Sequence, residues 1–333
     1  MSDMVHLTLD EVHALATKNL IHSGASAAQA RAVADTVTDA ERDECKSHGL
    51  FRIPGFCASL KSGKVTGDAV PVIHDLAPGV VHVDAQNGFA PLALEIGAEP
   101  LAEKARAQGI AALAVTDSYH FSALWPEVER LSNQGLVAFA FVSAKSFVAP
   151  VGGIKPLYGT NPMAFGWPRE NAPPVIFDQA SSASARGEIE ILRRDGKKIP
   201  DGWAIDANGD PTNDPEAALA GAQLPFGGHK GAAIAMMVEL LAGALVGDVF
   251  SFEATENDEP DGGPSSGGEF MIAIDPVRCG NTGSLAHAES LFEQVLSQPG
   301  TRLPSERRYR SRQHTPEAGV KIVPSLYEAL QIN

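Results

Sequence analysis

The spacing of apolar and polar positions predicts three helices in the first sixty residues. Thr8 and Glu11 form a capping-box pattern ahead of an apolar stripe with helical spacing, and Gly24 ends that helix. Ser26 repeats the start signal before a second apolar stripe, and a third short helix is expected at 54–63, where proline occupies the first turn. The N-terminal part of the chain is therefore predicted to be helical.

After this part the pattern changes to the short apolar runs that are typical of strands. We predict strands at 80–84, 110–115, 136–143, 163–166, 175–178 and 270–275, and helices at 91–108 and 231–246. Residues 253–269 are rich in acids, glycine, proline and serine, which predicts a mobile surface loop, and the last forty residues return to a helical, charged pattern. We expect an α/β domain at 66–284 and a separate helical domain built from both chain ends, 1–65 and 285–333.

Composition indicates an ordinary globular protein and disfavours two classes of binding partner. Of 333 residues, 44% are hydrophobic and 20% charged, and the formal net charge is −15. Phosphate backbones and anionic membranes attract basic surfaces, so neither nucleic acid nor a membrane is an expected partner. No signal-peptide pattern is visible, and the longest apolar stretch, 232–246, is too short to span a bilayer. We therefore predict a cytoplasmic protein.

Cysteine and histidine spacing gives no sign of a metal or disulfide framework. The three cysteines, Cys45, Cys57 and Cys279, form no CxxC pair, and the ten histidines form no H-x-x-H or H-E-x-x-H pattern. No metal site is expected from these patterns.

Residues 47–52 read Ser-His-Gly-Leu-Phe-Arg and bring three useful functional groups together. Imidazole is the commonest proton donor near neutral pH, and guanidinium grips a carboxylate with two parallel hydrogen bonds. If a helix begins near Gly49, His48 and Arg52 lie on the same side. These residues would then hold and protonate a small carboxylic acid. The alternative is a loop histidine beside an ordinary surface arginine.

Two further segments are candidates for binding an anion, although neither G-x-G-x-x-G nor G-x-x-x-x-G-K occurs. Residues 224–231 contain three glycines, His229 and Lys230 at the start of the strongest predicted helix, where free amides favour an anion. A solvated glycine-rich turn explains this segment equally well. Five arginines lie within eleven residues, and either a cofactor phosphate or an ion-pair seam between subunits would explain them: Arg302, Arg307, Arg308, Arg310 and Arg312.

Polar segments that follow predicted strands are a third kind of candidate. They are residues 117–124, 158–162 and 177–182. Loops at the ends of strands are where α/β proteins place ligand contacts. Each segment is also consistent with ordinary capping and turn chemistry.

Taken together, these segments resemble the malate/L-lactate dehydrogenase-like oxidoreductases, which bind nicotinamide cofactors without a Rossmann fold. The matching segments occur in the family's order and spacing: 47–49 with Arg52, 120–121, 150–153, 159–162 and 224–231. The resemblance implies an α/β, non-Rossmann core with a mixed or antiparallel sheet. Within the family, the chain is similar to bacterial Δ1-piperideine-2-carboxylate/Δ1-pyrroline-2-carboxylate reductases at 51–55, 121–126, 225–230, 236–241, 302–304 and 307–309.

The resemblance also implies a role for each matching residue. His48 would be the proton donor with Ser47 beside it, and Arg52 and Thr160 would bind the substrate. The relatives end this relay in an aspartate, whereas this chain has Glu188, which we expect to take its place. The NADPH site would be formed by His120, Phe121, Ser122, Ala123, Leu124, Asp178, Gln179, Ala180, Arg186, Gly187, His229, Lys230 and the segment 304–310 with Arg307, Arg308 and Arg310.

The implied reaction is the NADPH-dependent reduction of cyclic imine acids to L-proline and L-pipecolate, in a homodimer whose active site lies near the subunit interface. Two alternatives remain open from the sequence. The same His–Arg pair would serve a 2-oxo or 2-hydroxy acid such as malate, lactate or ureidoglycolate. The other alternative is a cofactor-binding protein that has lost catalysis, for which the change to Glu188 is the only support.

Overall fold

The computed structural model describes residues 4–280 and 282–332. The helices are α1 (Leu9–His22), α2 (Ala27–Arg42), α3 (Ile53–Ser62), α4 (Ala90–Gln108), α5 (Trp125–Ser132), α6 (Arg186–Arg194), α7 (Pro215–Ala220), α8 (His229–Glu239), α9 (Ser251–Glu256), α10 (Ser284–Leu296), α11 (Glu306–Ala318) and α12 (Pro324–Ala329). The strands are β1 (Val5–Leu7), β2 (Val72–Ala77), β3 (Val80–Phe89), β4 (Ile110–Tyr119), β5 (Val137–Val142), β6 (Met163–Trp167), β7 (Val175–Gln179), β8 (Ala204–Ile205), β9 (Pro211–Thr212), β10 (Ala222–Gln223), β11 (Ser266–Ile274) and β12 (Val320–Ile322).

The predicted capping signals start both N-terminal helices. The Thr8 side chain accepts the Glu11 amide while the Glu11 carboxylate accepts the Thr8 amide, and Ser26 accepts the amide of Gln29. Gly63 adopts a left-handed conformation with φ of 79° and ends α3. The three predicted N-terminal helices are therefore confirmed.

The two ends of the chain meet in one strand pair and one core. β1 pairs antiparallel with β12, with Val5 opposite Ile322. Apolar side chains of α1, α2 and α3 pack with those of β12, and the same cluster includes Phe89, Tyr119 and Phe121 from the sheet region. The helical region thus shares its core with the sheet, and its separation into a domain of its own stays a prediction.

A seven-stranded sheet forms the centre of the molecule in the order β2-β3-β4-β11-β5-β6-β7. Only β3 and β4, which are joined by α4, run parallel, and every other neighbouring pair is antiparallel. Helices α4 and α5 bury apolar faces against it, with Leu101 and Leu131 fully enclosed. The predicted mixed α/β sheet is confirmed.

The segment 253–269 differs from the predicted mobile loop. Its two ends belong to α9 and β11, and Lys64 contacts Asp258 at 3.0 Å and Asp261 at 2.5 Å. Lys145 also pairs with Asp258. The predicted loop is thus present at 257–265 with narrower bounds, and the lysines that neutralise its acids lie far away in the sequence.

The helix predicted at 231–246 also differs from the expectation. It begins at His229 after Gly228, whose φ of 62° favours glycine, and it changes into a π-helical turn at Leu240–Leu245. None of the described helices combines the length and apolar character needed to cross a bilayer.

Candidate active site

A cavity of about 880 Å³ lies where the N-terminal helical region meets the ends of β4 and β7. Ligand sites typically have volumes of ~300–1,000 Å³. Most of the predicted site residues line this one cavity: Ser47, His48, Arg52, His120, Phe121, Ser122, Ala123, Leu124, Thr160, Asp178, Gln179, Ala180, Arg186, Gly187, Arg307 and Arg308. The structure therefore brings together segments that are far apart in the sequence.

Glu188 makes no hydrogen bond to His48 in the described chain. Gly187 and Glu190, three residues apart on α6, line the cavity, whereas Glu188 does not line it and is exposed. Residues three apart share a helix face, while a neighbour is turned by about 100°. The expected role of Glu188 in the Ser47–His48 relay gains no support from this placement and stays a prediction.

Three predicted cofactor residues also lie outside the cavity. His229 and Lys230 are exposed at the start of α8. Arg310 lines a separate, smaller cavity of about 260 Å³. Within the described chain, these three side chains are not gathered with Arg307 and Arg308.

Ser47 and His48 form a hydrogen-bonded pair on the cavity wall. Ser47 Oγ lies 3.0 Å from His48 Nδ1, and Cys45 Sγ lies 3.6 Å from the same nitrogen. When the hydroxyl donates to Nδ1, a neutral imidazole carries its hydrogen on Nε2. Burial, Arg52 and His120 together lower the pKa of His48 to about 3. The protein's own groups thus keep this imidazole neutral near pH 7.

A buried glutamate holds the turn that carries this pair. Two 3₁₀ turns, Lys46–His48 and Leu50–Arg52, join at Gly49, and Glu41 Oε1 accepts the Leu50 amide at 2.8 Å. A Cβ added at Gly49 would lie 2.1 Å from the same oxygen. Glycine is needed here because the carboxylate occupies the space of a side chain.

Arg52 presents a guanidinium that no carboxylate occupies. Its Nε donates to the Ser47 carbonyl at 2.6 Å, and its guanidinium carbon lies 4.1 Å from the centre of the Phe121 ring. No salt bridge joins Arg52 to an acid in the described parts of the chain. Burial lowers the pKa of Arg52. The remaining N–H groups are suited to a bound carboxylate.

Thr160 is held between fixed neighbours. Its carbonyl accepts the Ser181 amide at 2.8 Å. The next residue, Asn161, is fully buried and donates to Glu239 at 2.7 Å, and Glu239 also accepts the Ser251 amide at 2.9 Å. The sequence signal at 158–162 therefore marks a rigid segment that carries one cavity residue.

The predicted cofactor loop, residues 120–124, is anchored to β7 by Asp178. One oxygen of Asp178 accepts the Leu124 amide at 2.9 Å and the Trp125 amide at 3.2 Å, at the start of α5. Burial raises the pKa of Asp178 to about 6. The backbone of this loop is consequently fixed where it faces the cavity.

The arginine cluster divides into groups with different partners. Arg312 bridges Asp43 at 2.5 Å and Glu129 at 2.6 Å within the same chain. Arg308 lies over the Trp125 ring at 4.9 Å, while Arg307 makes no ion pair with any described acid. The cluster is thus partly an internal ion network and partly a cationic edge of the cavity.

Several lining residues were missed by the sequence analysis. Glu190, Phe147 and Lys145 face the cavity, and the guanidinium of Arg186 lies 4.0 Å from the centre of the Phe147 ring. Residues 261–265 close another side. Only the loop composition of the last segment gave a signal, and that signal was interpreted as mobility.

The chain is similar to known proteins along nearly its whole length. The sequence profile of the malate/L-lactate dehydrogenase family matches residues 7–331. A Δ1-pyrroline-2-carboxylate/Δ1-piperideine-2-carboxylate reductase from Pseudomonas aeruginosa is 52% identical over 330 residues, covering 98% of each chain. A Δ1-pyrroline-2-carboxylate reductase from Ancylobacter novellus is 51% identical over 334 residues, covering 99% of this chain and 98% of the relative.

Solved structures agree with these relatives. The crystal structure of Δ1-piperideine-2-carboxylate reductase from Pseudomonas syringae pv. tomato matches with a TM-score of 0.94 and 42% identity, covering 98% of this chain and 99% of that one. A structure of a putative malate/lactate dehydrogenase from E. coli matches with a TM-score of 0.92 and 28% identity, covering 98% and 93%. Family membership implies a nicotinamide cofactor. The chain belongs to the malate/L-lactate dehydrogenase family and is an oxidoreductase.

Proposed function

We propose that this protein reduces the cyclic imines Δ1-pyrroline-2-carboxylate and Δ1-piperideine-2-carboxylate to L-proline and L-pipecolate with NADPH. The observation that carries the proposal is the meeting of the Ser47–His48 pair and the unpaired Arg52 guanidinium on one cavity wall. The names of relatives with 52% and 51% identity support a ring imine as the substrate.

Arg52 and Thr160 bind and orient the substrate in this proposal. The guanidinium pairs with the ring carboxylate through two hydrogen bonds, and stacking against Phe121 limits the directions in which it points. A carboxylate fixed in this way also fixes the adjacent C2 and ring nitrogen. When bound, NADPH supplies the hydride that C2 receives.

His48 donates the proton that the reaction consumes. Reduction adds a hydride to C2 and a proton to the ring nitrogen, so that C=N becomes CH–NH. Burial and the positive charge of Arg52 both lower the pKa of His48. A carboxylate bound at Arg52 offsets that charge, so we expect the pKa of His48 to rise on substrate binding. Ser47 holds Nδ1 and directs the opposite nitrogen to the substrate.

The preference for NADPH over NADH rests on Arg307 and Arg308. Both line the cavity, and Arg307 has no acidic partner among the described residues. Guanidinium groups match the two-pronged geometry of the additional phosphate that distinguishes NADPH. The cavity volume of about 880 Å³ and these cationic side chains fit such a cofactor.

The proposed activity is tested by following the oxidation of NADPH and NADH with both cyclic imines, pyruvate and oxaloacetate in parallel. We expect the fastest turnover with a cyclic imine and NADPH. Faster turnover of an oxo acid would replace the imine by the 2-hydroxy acid dehydrogenase alternative. Cofactor binding without turnover of any substrate would support loss of catalysis.

The role of His48 is tested by His48→Ala, with His314→Ala as the control because His314 is exposed on α11. We expect turnover to fall by about 10²-fold or more in the first variant, the usual effect of losing a general acid. The control should behave like wild type. Similar turnover in both variants would remove His48 from the mechanism.

We also infer a homodimer, while the cytoplasmic location stays a prediction. Met236, Leu240 and Leu245 form an exposed apolar row along α8 and the turn that follows, with 50%, 53% and 61% exposure. A dimer that covers this row would also carry His229 and Lys230 toward a second copy. Light scattering after gel filtration tests this inference, and a monomer at micromolar concentration would contradict it.

A further inference from the structure

At the cavity wall, three side chains with metal-binding atoms meet from separate elements, and one of them, His120, also lines the cavity. His120 follows β4, Glu127 lies on α5 and Glu269 lies on β11. His120 Nε2 is 3.3 Å from Glu127 Oε1 and 3.5 Å from Glu269 Oε2. One ligand atom from each residue lies within 4.8 Å of the other two.

The carboxyl groups of this cluster are buried without sufficient hydrogen bonding. Glu269 has 0% exposure, and neither of its oxygens has a hydrogen-bond partner in the described chain. Oε2 of Glu127 is also buried without a hydrogen-bond partner among the described residues. A buried polar group without a partner costs ~1–3 kcal/mol and a charged one costs more. The site therefore favours any species that neutralises these carboxylates or binds their oxygens.

The spacing and the charge both match a divalent cation. Ligands at ~2.0–2.2 Å around a tetrahedral ion lie about 3.4 Å apart, close to the two separations seen at His120. Two carboxylates, one neutral imidazole and one divalent cation sum to zero charge. A set of one nitrogen and two oxygens suits Zn²⁺ or Mn²⁺ better than Ca²⁺ or Mg²⁺, which prefer oxygen ligands only.

The second nitrogen of His120 opposes this arrangement only weakly. The Ser122 amide donates to Nδ1 at 3.4 Å, which is longer than the ~2.7–3.2 Å of an ordinary hydrogen bond. When Nε2 binds a cation, the hydrogen of the neutral imidazole moves to Nδ1 and this long hydrogen bond is lost.

We propose that His120, Glu127 and Glu269 bind one divalent transition-metal ion of the Zn²⁺ or Mn²⁺ class. The ion joins the end of β4, the first turn of α5 and the central strand β11. It lies beneath the loop 120–124 and makes that part of the cavity wall rigid. Its role is structural, and it is independent of which substrate the enzyme reduces.

Metal content gives the first test. The protein, produced without a metal-affinity tag and dialysed, is analysed by mass spectrometry for bound metals. We expect about one equivalent of Zn²⁺ or Mn²⁺ per chain in wild type and in Glu293→Gln, a matched change on the exposed face of α10. Glu269→Gln should retain less than about a tenth, because it loses an anionic ligand.

Thermal unfolding gives the second test. After chelation, ZnCl₂ or MnCl₂ at about 100 times its Kd should raise the Tm of wild type and Glu293→Gln by about 4 °C and leave Glu269→Gln unchanged. Glu127→Gln replaces Glu269→Gln if the latter does not fold. Wild type without bound metal and without a Tm response to either ion overturns the proposal, as does equal metal in wild type and variant. In both cases a proton shared by the two glutamates neutralises the cluster.

Discussion

Gly49→Ala places one methyl group in the space that the Glu41 carboxylate fills. The new Cβ would lie 2.1 Å from Oε1 and 2.4 Å from Cδ of Glu41, which is itself 3% exposed. The clash with this buried carboxylate is the contact on which the expected effect of the substitution rests.

The magnitude follows from the contact that is lost. The carboxylate must leave its position, and the buried Leu50 amide loses its acceptor at 2.8 Å. A hydrogen bond to a charged group contributes ~1.5–3 kcal/mol, and overpacking costs a similar amount. We expect the free energy of unfolding to fall by about 2–3 kcal/mol. Turnover should fall as well, because Ser47 and His48 belong to the turn that moves.

Urea unfolding measures the stability and NADPH oxidation measures the turnover. Gly79→Ala is the matched control, since its added Cβ meets only Ile110 O at an ordinary 3.4 Å. Glu41→Ala combined with Gly49→Ala completes a double-mutant cycle. The double variant should lose less free energy of unfolding than the two single variants lose together. A Gly49→Ala protein within ~0.5 kcal/mol of wild type, the range of ordinary surface changes, would refute the reasoning.

Three further predictions follow from the contacts around the cavity. Pyrrole-2-carboxylate, a planar ring acid, should bind more tightly as the pH falls toward 5, because we expect binding to raise the pKa of His48 from about 3 and to take up a proton. Titration calorimetry checks this, and a pH-independent affinity would contradict it. Gly187→Ala should raise KM several-fold with little change in kcat, because its Cβ would lie 3.1 Å from Nη2 of Arg52; an unchanged KM would show that the guanidinium adapts. Arg312→Leu should lower the free energy of unfolding by about 1.5–3 kcal/mol in urea, because buried Asp43 and Glu129 lose one guanidinium while Asp43 keeps Arg42 at 2.9 Å; a loss below ~1 kcal/mol would exclude this role.

The parts of the fold that local signals control could be predicted from the sequence. Thr8, Ser26 and Gly63 act through neighbours three or four residues away, so capping and helix ends were found correctly. The positions of six of the seven strands in the central sheet also followed, because each of these strands has its own apolar run, whereas the exposed β2 was not predicted. The register and order of the strands needed the structure.

The candidate site also combines residues that the sequence could predict with contacts that it could not. Ser47, His48 and Arg52 are adjacent in sequence and could be interpreted together, whereas Glu188 was placed by analogy and one helical step of rotation turns it outward. Lys64 and Asp261 are 197 residues apart, so nothing local shows that they pair. The His120 cluster was missed for this reason, since its ligands come from three elements.

The pairing of β1 with β12 has a consequence for the order of synthesis. The core beneath the active-site turn includes Leu50 from the turn and Ile322 from β12, and Lys46 donates to the Lys321 carbonyl at 3.1 Å. A ribosome releases the N-terminal segment long before the C-terminal one. The turn with Ser47 and His48 is thus completed only after nearly the whole chain has emerged, and until then its apolar partners remain open to chaperones or to neighbouring chains.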